Sequence, residues 1–203
     1  MTLVTYGAFR AGVRDAGVTL GSLGGRPFPT PFRTASGSVV RFHRDGPGPA
    51  WQWLDASLSR SSYWGPQGTP QARGWADAIR SCFRAYEALA TPDTRAVFAL
   101  GVTRELDLPP HELRVYTDVL LIDDKGYVPR CLLWDTTQLT AELAQLYAAP
   151  AWAVAEEELG QGRVPGVEVW HLRTRTRRVV TAAEASAVAD EVRRVVHRLT
   201  GTP

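Results

Sequence analysis

The chain has almost no lysine, little sulfur and no long apolar run. Lys125 is the one lysine among 23 basic residues, so arginine carries nearly all the positive charge. With the abundant Ala, Gly and Val, this points to a GC-rich coding sequence before it points to a function. The net charge is only +2, so composition alone makes no case for nucleic acid. No apolar stretch of about 18 residues exists and no signal peptide is visible, which predicts a cytoplasmic protein without a membrane partner. Cysteine is confined to Cys82 and Cys131. One falls on the apolar face of an expected helix and the other in an apolar strand. Both are expected to be reduced core residues, with no disulfide and no zinc spacing. There is no internal repeat, dinucleotide fingerprint or nucleophile elbow. The glycines of 21–31 lack the Gly-Lys-Ser/Thr that would make a phosphate loop.

What is present fits a single α/β domain. A length of 203 residues with 44% hydrophobic content is enough for a sizeable core. The organising stretch is 115–147. Val119, Leu120, Leu121 and Ile122 form a strand-length apolar run, and Asp123-Asp124-Lys125-Gly126 a polar turn with glycine where positive φ is needed. Residues 128–134 form a second apolar run, continuous enough for a strand covered on both faces. A helix follows, with Leu139, Leu143, Leu146 and Tyr147 as its stripe. Asp118 enters the first run and Asp135 leaves the second. Closing the hairpin at 124–126 brings both carboxylates to one open end, as a divalent-cation site requires.

Strand ending in Asp, hairpin, strand ending in Asp, then helix: over residues 73–200 this order resembles the PD-(D/E)XK nuclease superfamily, in its RecB-type exonuclease flavour. The resemblance is carried by Val115-Tyr116-Thr117-Asp118, by Leu133-Trp134-Asp135-Thr136-Thr137 and by Tyr147 on the helix. It implies a restriction-endonuclease-like core: a mixed central sheet with helices on both sides. It also implies Mg²⁺ or Mn²⁺ on Asp118 and Asp135, with Glu105 in a preceding strand as a third acid. Such a metal would stabilise phosphate charge and activate water. Two positions depart from the pattern. Thr137 stands where the family has its catalytic lysine, and Leu143 where it has glutamine. The implied hydrolysis is therefore weakened or lost.

The rest of the chain is organised around that core. Residues 1–70 fall outside the resemblance and are expected to be an N-terminal elaboration on the 71–203 core, within one compact domain. A short helix is expected over 8–18 and a strand over 38–43, with His43 and Asp45 a possible acid–base pair. Residues 46–70 are rich in Pro, Gly and Ser yet hold Trp51, Trp53, Tyr63 and Trp64. They are expected to form a long loop, either pinned to the core by its aromatics or acting as a lid or stacking platform. Helix periodicity predicts 71–90 as a helix stopped by Thr91-Pro92. Strands are expected over 96–100 and 103–108, with a turn at Pro109-Pro110 and an exposed His111 after it. Pro150 should kink or restart the helix that follows the hairpin. A strand is expected over 167–172. Arg173, Arg175, Arg177 and Arg178 then form either a phosphate-binding cluster or a charged edge that deters sheet-to-sheet association. Thr181 and Glu184 form a capping box for a final helix.

Three functional readings follow. One is a divergent nuclease-like protein that binds or processes nucleic acid. The second is a catalytically silent scaffold of that fold with a protein partner. The third is a small-molecule enzyme of a biosynthetic pathway, with His43, Asp118 or Asp135 as acid–base groups.

Overall fold

The computed structural model describes residues 2–17, 19, 31–60, 68–134 and 138–201. The order of elements is β1 (Thr2–Thr5), α1 (Tyr6–Arg14), α2 (Pro31–Asp45), α3 (Pro47–Arg60), α4 (Pro70–Ala90), β2 (Ala96–Leu108), β3 (His111–Asp123), β4 (Gly126–Leu133), α5 (Ala141–Leu159), β5 (Gly166–His171), β6 (Thr176–Thr181), α6 (Ala182–Ala187) and α7 (Ala189–Thr200). The strands make one mixed six-stranded sheet. This is the expected α/β class, with a mixed sheet flanked by helices.

Two apolar clusters cover the two faces of the sheet. One joins the strands to α1, α5, α6 and α7 through Phe9, Leu133, Tyr147, Ala185 and Val195. The other joins them to α2, α3 and α4 through Val39, Leu54, Phe83, Tyr86 and Trp170. Strand alternation distributes the side chains. On β5, Val167 and Val169 enter the first cluster, while Trp170, and Leu172 just past the strand's end, enter the second.

β3 holds the sheet together. β2 runs antiparallel to it from Ala96↔Ile122 to Leu108↔His111. β1 pairs with it in parallel over His111 to Arg114, and β4 pairs antiparallel over Val119 to Asp123. With β2 on one edge along its whole length, β1 and β4 share the other edge, and residues 115–118 lie between them. β4 then leaves β3 and pairs in parallel with β5 over Arg130 to Leu133. Helix α5 makes that crossover, which a parallel pair requires.

The two faces also exchange along β3. Leu113 and Val115 belong to the first cluster, but Val119 and Leu121, of the same parity, belong to the second. Regular alternation would keep all four on one face. The change falls between Val115 and Val119, the stretch that holds Asp118. Opposite it on β2, between Leu100↔Val119 and Val102↔Thr117, stands Gly101 with φ +61. Glycine is the residue that adopts this left-handed conformation without a Cβ penalty.

Several expectations are corrected. Residues 38–43 are helical, not a strand. Ala35, Val39 and Phe42 form a helical stripe toward the second cluster, which the local alternation around Val39-Val40 hides. Residues 47–60 are helix α3, not loop, burying Ala50, Leu54 and Leu58 at four-residue spacing. Gly46, with φ +89, ends α2, and Pro47 opens α3, the usual division of labour between these residues. Tyr63 and Trp64 lie outside the described residues. The strands expected over 96–100 and 103–108 are one strand with a register shift between Val97 and Ala99. Helix α5 runs through Pro150 without restarting. His111 is buried, not exposed, and its Nε2 meets the Thr200 hydroxyl at 3.0 Å. Cys82 and Cys131 are both buried and unbridged, as expected. Among the described residues, no helix is long and apolar enough to cross a membrane.

Candidate functional site

Asp118 sits where β3 and β4 part. Its Oδ2 accepts the backbone N–H of Leu132 at 2.8 Å, so the carboxylate replaces a ladder hydrogen bond just beyond the last β3–β4 pair, Val119↔Arg130. Oδ1 accepts the hydroxyl of Ser36 from α2 at 3.1 Å. The residue is buried. Burial raises its pKa to about 6, against these two hydrogen bonds and the positive charge of Arg10.

Three residues from the first helix and the hairpin complete the surroundings. Tyr6 opens α1 and donates its hydroxyl proton to the carbonyl of Tyr147 on α5. Burial raises the Tyr6 pKa well above its ordinary value, with Cys131 adding to the effect. The Cys131 thiol is pushed up to about 12, first by burial and then by the charge of Asp118. A thiol held so firmly protonated is a core group, not a nucleophile. Arg10, one turn into α1, lies 5.3 Å from the ring centroid of Tyr147. Its charge acts on Asp118, Tyr6 and Cys131 alike. Ser36, Tyr6 and Arg10 carry no sequence motif. The β1–β3 pairing and the packing of α2 bring them to Asp118, so nothing local could have singled them out.

The other acids are not gathered here. Glu105 lies four residues along β2 from Gly101, roughly 13 Å at strand rise, and bonds Arg114 at 2.7 Å on an exposed part of the sheet. It is a surface ion pair, away from Asp118. Asp135 and Thr137 lie outside the described residues. Among the described residues, no three His, Cys, Asp or Glu side chains come together as a metal site. Asp118 by itself does not suit a divalent ion well, because both its oxygens already serve internal donors and it is almost sealed from solvent.

His43 and Asp45 do not pair. His43 Nε2 meets the hydroxyl of Tyr86 on α4, whereas Asp45 is held by Arg41 and Arg44. Helical geometry turns residues two apart to different sides. Trp51 and Trp53 are on α3. Trp51 donates to Glu87 at 3.0 Å and packs on Phe83. Trp53 lies under Arg41 and against Gly37, where any Cβ would overlap its ring. Both pin α3 to its neighbours rather than forming a lid.

Arg173, Arg175, Arg177 and Arg178 surround the turn from β5 into β6, an edge strand of the sheet. All four are exposed, and among the described residues none is in an ion pair. Arg175 has φ +55, which fixes the tight turn. Arg173 reaches back toward the Cys82 thiol on α4. Arg177 and Arg178 alternate to the two faces of the strand. No family profile matches this sequence, and no curated protein matches it.

Proposed function

We propose that this chain is a divergent PD-(D/E)XK-like protein that binds nucleic acid and has lost metal-dependent hydrolysis. The β2–β3–β4 meander, the α5 crossover and the parallel return of β5 beside β4 support the nuclease-like core. The observation that carries the loss is the state of Asp118. Its carboxylate accepts Leu132 N–H and Ser36 O–H inside the protein, and Thr137 stands at the family's lysine position. Asp118 therefore acts as a structural acceptor that stitches β3, β4 and α2 together. No catalytic step is assigned to it.

The nucleic-acid reading is supported by the four exposed arginines around the β5–β6 turn, a concentration of guanidinium groups at the sheet edge that suits phosphate contact. It is tested by anisotropy with a labelled DNA duplex across a salt series. Binding should weaken as salt rises, and Arg173→Ala, Arg175→Ala, Arg177→Ala and Arg178→Ala together should flatten that dependence. Salt-independent affinity, or no affinity at low salt, would remove it.

A second reading, a silent scaffold with a protein partner, is favoured by one feature. β2 is long, pairs among the described residues with β3 alone, and exposes Val97 and Phe98, the latter at 53%. An open apolar strand edge is a site for strand addition. Co-purification of a stoichiometric protein, lost on Phe98→Lys, would favour it over nucleic acid.

A further inference from the structure

The C-terminal ends of α2 and α4 close over the sheet beside a second group of charges. Arg130 on β4 is completely buried, and its guanidinium lies 3.6 Å from the ring centroid of Trp170. Nε donates to Glu168 at 2.8 Å and Nη2 bonds Asp93. Arg95 closes the group, donating to Asp93 at 2.8 Å and to Glu168 at 2.7 Å. Two guanidiniums thus face two carboxylates. Nη1 of Arg130 differs from the other nitrogens. It is buried and has no hydrogen-bond partner among the described residues, although buried donors are normally satisfied.

Arg130 lines a pocket of about 270 Å³, together with His43, Arg95 and Asp93, whose carboxylate is already held by the two guanidiniums. Phe42, Pro47 and Leu121 supply apolar wall. The hydrogen-bond roles around His43 can be worked out. Burial raises the Tyr86 pKa, so the phenol keeps its proton, and the Arg130 guanidinium faces its oxygen. The phenol therefore donates to His43 Nε2, which places the imidazole proton on Nδ1 and makes that nitrogen a donor. His43 itself is neutral, its pKa lowered to about 4 by burial and then by the charge of Arg130.

We propose that this pocket binds a small organic carboxylate, held by Arg130 and His43 with its apolar body against Phe42, Pro47 and Leu121. One guanidinium nitrogen without a hydrogen-bond partner among the described residues and one neutral imidazole, with Asp93 and Glu168 already close, match a singly charged group better than a phosphate. The site is separate from the nucleic-acid reading and does not depend on it. The groups facing His43 are Tyr86 from α4, Arg130 from β4, and Asp93 and Arg95 from the segment leading into β2. A carboxylate arriving among them adds negative charge beside His43 and favours its cation. Binding takes up a proton, so affinity rises as pH falls.

The test is calorimetric titration of the full chain with benzoate and with acetate, at constant ionic strength, near pH 5.5 and pH 7.5. Benzoate should bind saturably and at least about threefold tighter at the lower pH, with proton uptake. Pro47→Trp, at the exposed rim and outside the charge group, should weaken binding about tenfold or more while the chain still unfolds cooperatively, even if the lost helix-opening proline lowers its stability. His43→Gln, which keeps a neutral contact to Tyr86, should remove the pH dependence. No saturable binding of either carboxylate, or binding that Pro47→Trp leaves intact, would overturn the site. Displacement of benzoate by inorganic phosphate as effective as by acetate would overturn the carboxylate assignment.

Discussion

Asp118 and Leu132 are joined by a side-chain to main-chain hydrogen bond of 2.8 Å across the point where β3 and β4 separate. The bond explains how a strand hairpin can open within the sheet without orphaning a buried N–H. It also turns an acid at the expected catalytic position into part of the framework.

The first prediction concerns pH. The folded pKa of Asp118, about 6, lies above its ordinary value of 3.8. A raised acid favours the protonated fold, so this contribution is fully present below pH 3.8 and is lost as pH rises through 6. Asp118→Asn keeps a neutral acceptor for Leu132. It should stabilise the protein above pH 6 by on the order of 1–3 kcal/mol and flatten the stability profile between pH 4 and 6. Urea unfolding across that range checks it. A destabilised, still pH-dependent Asn variant would contradict it.

The second concerns Arg130. Removing a buried cation leaves Asp93 and Glu168 with less compensation. Arg130→Met should cost about 3–5 kcal/mol. Adding Glu168→Gln should recover part of that loss, because the pair is coupled through the 2.8 Å bond. A double-mutant cycle by chemical denaturation measures the coupling, and strict additivity would count against it.

The third compares two glycines. Gly126 has φ +133, and a Cβ there would lie 2.2 Å from the carbonyl oxygen of Arg163. Gly126→Ala should cost about 2–3 kcal/mol. Gly101, with φ +61, would meet the Tyr116 hydroxyl at 3.3 Å and a Val40 methyl at 3.9 Å, neither of them a severe overlap. Gly101→Ala should cost about 1–2 kcal/mol, the left-handed penalty alone. Midpoints of thermal unfolding should rank Gly126→Ala below Gly101→Ala.

The fourth concerns the arginine edge. Each phosphate contact adds about 0.9 to the slope of log affinity against log salt. The quadruple alanine variant at 173, 175, 177 and 178 should lower the slope by up to about 3–4, while stability changes by no more than about 0.5 kcal/mol. An unchanged slope would place the phosphate contacts elsewhere.

The hairpin around Lys125, the helix of 70–90 and the final capping box were legible because each is local. Alternating apolar runs around a polar turn, a 3.6-residue stripe, and Thr181 three residues before Glu184 each declare themselves within one window. Helices α2 and α3 were less legible. Val39-Val40 alternates like a strand, and the glycines and prolines of 46–49 look like loop, although Gly46-Pro47 is a helix stop followed by a helix start. The surroundings of Asp118 were hidden for another reason. Tyr6, Arg10 and Ser36 approach it through parallel pairing of β1 and packing of α2, contacts between residues some 80 to 110 positions apart that no window sees. Arg130 was hidden likewise, as one basic residue in an apolar strand whose partners, Asp93 and Glu168, come from distant segments.

The most direct measurement is a calorimetric titration of Mn²⁺ into the wild-type chain and into Asp118→Asn, with plasmid nicking followed in the same buffers. With Asp118 serving as a structural acceptor, neither protein should bind the ion specifically and neither should nick DNA. Stoichiometric binding by the wild type that disappears in Asp118→Asn, accompanied by nicking, would contradict the proposal and restore a working metallonuclease site.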